Sequence, residues 1–197
     1  MSNYELPTYF EVNEELFRIR NQGDFRIVLS CFNILSNIEL SDKEKVYTCL
    51  IVFYEDFDDL DDILECSNAI PELVEKMFWF FDCGQDYKSE KVKPKLVDWD
   101  KDEMLIMSAV NKVAGREIRN ENIHWWTFIS YYMAIGECPL SQIVSIRHKL
   151  AVGKKLEKHE LEFKNENPQY FDIDYRTQED KAIDDWIQSM WKSGGDK

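Results

Sequence analysis

At 197 residues, with 44% hydrophobic and 14% aromatic side chains, the chain has the composition of a folded protein with a sizeable core. Its formal net charge of −14 at pH 7 opposes binding to a phosphate backbone or an anionic membrane, so neither nucleic acid nor lipid is an expected partner. The same charge favours solubility and a basic or amphipathic protein partner.

The opening Met1-Ser2-Asn3-Tyr4 lacks the basic and apolar regions of a secretion signal, and no apolar run is long enough to span a bilayer. Five cysteines without a C-x-x-C pair read as small buried hydrophobes in a reducing compartment, so a soluble cytoplasmic protein is expected.

In chain order, residues 9–20 read as a hairpin around Asn13-Glu14-Glu15. Phe10 and Val12 alternate before the turn, and Leu16 or Phe17 alternates with Ile19 after it. An isolated hairpin is marginal, so it should lie against helices or pair with another chain. Asp24 is placed to cap a helix running to about Ser36, with Phe25, Val28, Leu29, Phe32 and Leu35 inward. Ser41 with Glu44 forms a capping box for a helix from Asp42 to about Tyr54.

Residues 55–65 hold seven carboxylates: Glu55, Asp56, Asp58, Asp59, Asp61, Asp62 and Glu65. A calcium loop would need a central glycine and a glutamate at the twelfth position, and neither matches. The acids suit a helix N-terminus, where the macrodipole favours negative charge, or an acidic contact surface. Pro71 then opens a helix ending near Gly84.

Residues 84–97 read as a linker-like, lysine-rich loop. Asp98 or Asp100 caps the next helix, to about Ala114, with Leu105, Ile106, Ala109, Val110 and Val113 inward and Gly115 as its stop. The stretch 122–136 is the most aromatic in the chain. A helical reading lines up Trp125, Phe128, Ile129, Tyr132 and Met133, with Trp126 and Tyr131 off the stripe, as expected of a central core helix. Pro139 opens a helix carrying Ile143, Val144, Ile146 and Arg147. From Gly153 the chain becomes charged, breaks at Pro168, and closes on an amphipathic segment, 178–191, with Ile183, Trp186, Ile187, Met190 and Trp191 on one stripe. That segment either docks on the core or binds a partner.

The fold class is therefore mainly α, a compact multi-helix domain with a short N-terminal β-hairpin. Its expected extent is 1–152, followed by a charged extension over 153–197. No catalytic signature is present. His124, His148 and His159 fall in separate segments without metal-ligand spacing, and no G-x-S-x-G, P-loop or dinucleotide fingerprint occurs. The chain is expected not to be an enzyme and to need neither metal nor cofactor.

Three spaced features carry a resemblance. Asp24-Phe25-Arg26 follows the hairpin, Asp98-Trp99-Asp100-Lys101-Asp102 precedes the helix over 103–114, and His124-Trp125-Trp126-Thr127-Phe128 heads the aromatic stretch. Ile143 to Arg147 extends the pattern. Over about residues 15–165 this order resembles the bacteriophage "gene product fifteen" family of long-tailed phages and prophages of Gram-positive bacteria. At Gly115-Arg116-Glu117-Ile118 the chain departs from that family's Gly-Ile-Asp-Leu turn. The resemblance implies a tail-assembly chaperone in the host cytoplasm. Such a protein binds the long tape-measure protein, hands it to the tail tube protein and is absent from the virion. The alternative is a structural tail or head-completion component. Copies lining a long partner would gain avidity, which leaves room for self-association.

No catalytic role is implied for any motif residue. Asp24, Phe25, Arg26, Asp102, His124, Trp125, Trp126, Phe128 and Arg147 are expected to be structural, with Asp24, Arg26 and Arg147 in internal polar contacts. Partner contacts are expected instead at Asp58, Asp59, Asp61, Asp62, Trp186 and Met190.

Overall fold

The hairpin forms where the apolar alternation places it. In the computed structural model, which describes residues 5–85 and 94–173, strands β1 (Tyr9–Val12) and β2 (Glu15–Arg18) pair antiparallel. The turn residues Asn13 and Glu14 both have positive φ, 52° and 69°. That backbone matches the twist of a two-residue hairpin but strains a glutamate. Glu14→Gly is therefore expected to raise stability by about 0.5–1 kcal/mol, read as a higher urea midpoint with an unchanged slope. Phe17, not Leu16, is the buried residue of β2. Leu16 is 56% exposed, while Phe17 packs edge-on against Tyr54 and beside Phe57.

Eight α-helices follow among the described residues: α1 (Phe25–Leu35), α2 (Asp42–Phe53), α3 (Leu60–Glu65), α4 (Ile70–Phe81), α5 (Glu103–Ala114), α6 (Trp125–Met133), α7 (Pro139–Ala151) and α8 (Lys158–Glu166). The protein is thus mainly helical with a two-stranded N-terminal hairpin. Local chemistry accounts for most boundaries. Asp24 caps α1 by accepting from the Arg26 N–H, and Ser41 with Glu44 forms a reciprocal capping box at α2. Gly115 ends α5 in the left-handed conformation.

Two expectations are corrected. Helix α5 begins later than a cap at Asp98 or Asp100 implies, because the Asp98 carboxylate accepts from the Asp100 and Lys101 N–H groups and closes a turn ahead of it. Helix α6 covers only Trp125–Met133 of 122–136, and Met133 is 75% exposed, so the apolar stripe is core at its head and not at its end. Among the described residues, one unit comprises 5–85 with 119–129, and the other comprises 94–118 with 130–173. Phe171 joins Ile143 and Ile146 of α7 in one cluster with Phe163 of α8 packed on it. Apolar residues beyond Gly153 complete a core that α7 cannot close alone. Residues 86–93 of the lysine-rich loop and the segment 178–191 lie outside the described residues.

In the first unit, α1 packs on α2, and α2 also meets α3 and α4. Val28, Cys31, Val46, Leu50, Phe53, Leu73, Val74, Met77 and Phe80 are fully buried there. Arg20, just after the hairpin, points its Nη2 at the carbonyls of Ile51, Tyr54 and Phe57, at 3.1, 2.9 and 3.0 Å. This cation satisfies acceptors left open where α2 ends. In the second unit the core is smaller and is built on Ile106 and Val110 of α5 with Ile143 and Ile146 of α7.

Candidate functional site

The first and third motif elements, both in the first unit, meet at one junction. Asp24 and His124 form an antiparallel bridge: Phe25 N–H donates to the Ile123 carbonyl at 2.9 Å, and Trp125 N–H donates to Gly23 at 2.7 Å. The Asp24 carboxylate, 1% exposed, receives a bidentate pair from Arg26 (Nε to Oδ1 at 2.7 Å, Nη2 to Oδ2 at 2.9 Å) and the Ile123 N–H at 3.1 Å. Arg26 reaches on to the carbonyls of Arg119 and Glu121. One ion pair therefore ties the start of α1 to the segment leading into α6.

His124 is spent on the same junction. Its Nε2–H donates to the Pro7 carbonyl at 3.0 Å, and its Nδ1 accepts the Trp126 N–H at 3.1 Å, which fixes the Nε2–H tautomer and caps α6. Neither ring nitrogen is left for a metal or a substrate proton. Burial lowers the His124 pKa, and the bond to Pro7 opposes that shift only in part. An unfolded histidine protonates near pH 6.5, so stability from the neutral ring holds above that value and is lost as pH falls below it. The expected effect on unfolding free energy is at most about 1.4 kcal/mol per pH unit below pH 6.5. Urea titrations from pH 7.5 to 5.5 should show that slope in wild type and a flatter one in His124→Gln.

Behind this junction Phe25 stacks on Phe128 at 4.5 Å and Trp125 on Phe128 at 5.7 Å, with Phe32 edge-on to Trp125. The Trp125 and Trp126 indoles donate to the Phe81 and Phe80 carbonyls at 2.8 and 2.9 Å, closing the end of α4. Gly23 (φ 81°) has no room for a side chain, since a Cβ would sit 2.6 Å from the Phe80 ring.

Asp102 and Arg147 come together in the second unit, both at most 1% exposed. The guanidinium donates from Nη1 and Nη2 to the two carboxylate oxygens, at 2.5 and 2.9 Å. It also donates to the Tyr170 carbonyl from Nε and Nη2 and to the Leu96 carbonyl from Nη1. All the charge is met within the chain.

The four acids expected at a partner surface divide. The Asp59 carboxylate accepts the Asp61 and Asp62 N–H groups, and that of Asp62 accepts those of Asp58 and Asp59, so both are occupied in starting α3. Asp58 and Asp61 remain exposed. Trp186 and Met190 lie outside the described residues. Beside α3, Glu15, Leu16, Asp56, Asp62, Glu65 and Cys66 border an open cleft of about 410 Å³. The Cys66 thiol is pushed up by burial first and then by those carboxylates, and Cys83 is pushed up to about 11 by burial and Asp82. A second groove, of about 250 Å³, lies between β1 and α4 and is lined by Phe10, Glu11, Glu75, Lys76 and Trp79. Among the described residues, no group of three or more His, Cys, Asp or Glu side chains is arranged to hold a metal, and no helix is long and apolar enough to cross a membrane.

The family model described as bacteriophage Gp15 protein matches residues 3–171. The chain belongs to the bacteriophage Gp15 protein family. No curated protein and no solved structure matches it. The Gp15 match spans both units and ends at Phe171, the residue that completes the second core. Sequence reasoning missed Arg20 as a cap on α2; its signal was a cation standing directly after the hairpin's apolar alternation. It also missed the pairing of Asp102 with Arg147, although it had singled out both residues.

Proposed function

We propose that this Gp15-family protein is a non-enzymatic tail-assembly chaperone acting in the host cytoplasm. It binds the phage tape-measure protein before the tail tube polymerises, keeps that long partner in solution, and leaves before the virion is complete. The observation that carries this reading is the family match over residues 3–171. Chemistry at the motif supports it. His124 has both ring nitrogens bonded within the chain, and Asp102 and Arg147 satisfy each other in the interior. These residues build a scaffold and leave binding to surface grooves. The net charge of −14 would also keep a complex with a sticky partner dispersed.

Co-expression with the tape-measure protein encoded in the same phage tests this. The expected result is a tape-measure protein that shifts from pellet to supernatant and co-purifies with this chain, and purified virions in which mass spectrometry does not find this chain. An equally insoluble tape-measure protein with and without the chain would overturn the reading. Stoichiometric recovery from virions would instead make it a structural tail or head-completion component.

A further inference from the structure

Among the described residues, the two-stranded sheet has one finished edge and one open edge. On the β2 side, Glu55 N–H donates to the Arg18 carbonyl, Arg18 N–H donates to Asp56, and Ile19 bridges Tyr54, so that edge is continued by main chain. On the β1 side nothing continues it among the described residues. The register pairs Phe10 with Phe17 and Val12 with Glu15 around the two-residue turn, which directs the N–H and C=O groups of Tyr9 and Glu11 away from β2. Such an edge is a template for another extended chain.

The groove between β1 and α4 lies where such a chain would put a side chain. A residue added beside Phe10 projects on the same face as Phe10, towards the Trp79 ring that Phe10 meets edge-on at 5.9 Å. The volume of about 250 Å³ suits one large apolar side chain. At its rim Lys76 already pairs with Glu72 at 3.9 Å, which leaves the Glu11 and Glu75 carboxylates to set the local sign. The rim therefore favours a lysine or arginine flank on the incoming strand. It disfavours a second copy of this chain, which brings a net charge of −14 and, when paired about Glu11, sets carboxylate against carboxylate.

We propose that the β1 edge captures an extended, cationic stretch of the tape-measure protein as a third strand, with a large apolar residue seated between Phe10 and Trp79. The inference rests on the chaperone reading above and names the surface that performs it. Main-chain hydrogen bonds would supply sequence-tolerant affinity, and the groove would supply selectivity.

The test uses the full chain co-expressed with the tape-measure protein. Glu11→Pro removes an outward N–H and leaves the β1–β2 ladder intact, so the hairpin should persist. Leu16→Pro places the same ring at the corresponding outward position of β2, and Glu11→Gln removes only the charge. At least tenfold weaker capture by Glu11→Pro, with Leu16→Pro near wild type and Glu11→Gln intermediate, is the expected pattern. In the wild-type complex, amide exchange at Tyr9 and Glu11 should slow at least tenfold, a readout that does not depend on any variant folding. Unchanged capture by Glu11→Pro, or unchanged exchange at both amides, overturns the edge inference while the chaperone reading stands. A homodimer in sedimentation that Glu11→Pro dissociates would assign the edge to a second copy and also overturn it. If wild type fails to hold the tape-measure protein at all, both readings fall.

Discussion

Asp102→Ala is expected to lower the stability of the second unit by about 3–5 kcal/mol, because it strands a buried guanidinium. Arg147 is 0% exposed, and its five N–H donors are matched by five hydrogen bonds: two to Asp102, two to the Tyr170 carbonyl and one to Leu96. Removing the carboxylate leaves a cation that can neither lose its proton nor reach water. The Asp98 N–H, which donates to Asp102 at 3.0 Å, loses its acceptor as well. Arg147→Met strands the carboxylate instead and should cost a comparable amount. Combining Asp102→Ala with Arg147→Met removes both charges and should cost clearly less than the two single changes summed, since no buried ion remains uncompensated. It should not return fully to wild type, because the Tyr170 and Leu96 carbonyls then lack their donor. Urea unfolding followed by amide exchange in α5 and α7 reads all four proteins. A single Asp102→Ala change costing under about 1 kcal/mol would mean that the pair contributes little in place.

Trp125→Ala is expected to cost about 3–5 kcal/mol in the first unit. Trp125 is 2% exposed, stacks on Phe128, meets Phe32 edge-on, and donates its indole N–H to the Phe81 carbonyl at 2.8 Å. Truncation opens a cavity among aromatic rings and also leaves a helix-terminal acceptor unpaired. Trp125→Phe separates the two causes. It keeps most of the packing and loses the hydrogen bond, so about 1–3 kcal/mol should be lost. Trp126 provides the contrast, being only partly buried while donating to the Phe80 carbonyl. Trp126→Phe should therefore cost less than Trp125→Phe in the same denaturation series.

Legibility in the sequence followed the range of the interaction. The capping box of Ser41 and Glu44, the Asp24 cap, the left-handed stop at Gly115 and the hairpin around Asn13-Glu14 are set within a few residues, and each lies where its chemistry places it. The ambiguity between Leu16 and Phe17 was local in form but tertiary in answer. Either residue suits a strand, and the aromatic surface of Tyr54 and Phe57 selects Phe17. Met133 fits the helical stripe and is exposed, whereas its neighbour Tyr132 packs its ring against Trp99. Asp98 carries the side chain of a helix cap and serves a preceding turn, a choice made by where the Asp102 carboxylate is held.

The motif residues show the same divide. Asp24, His124, Asp102 and Arg147 stood out as letters in a family pattern, but their partners did not. His124 reaches Pro7 across 117 positions, Asp24 reaches Ile123 across 99, and Arg147 reaches Asp102 across 45. No periodicity records such pairings, because it reports only which face of an element is apolar. Residue order alone was enough for the helical class, the hairpin, the caps at Asp24 and Ser41 and the family, since these depend on neighbours in the chain and on spaced side-chain types. Folding alone decided which polar groups are consumed inside and which edge stays open. Burial forces each charge to find a partner wherever the chain happens to bring one, and it was the fold that set Glu55, Asp56 and Tyr54 against the β2 side of the sheet, while among the described residues nothing continues the β1 side.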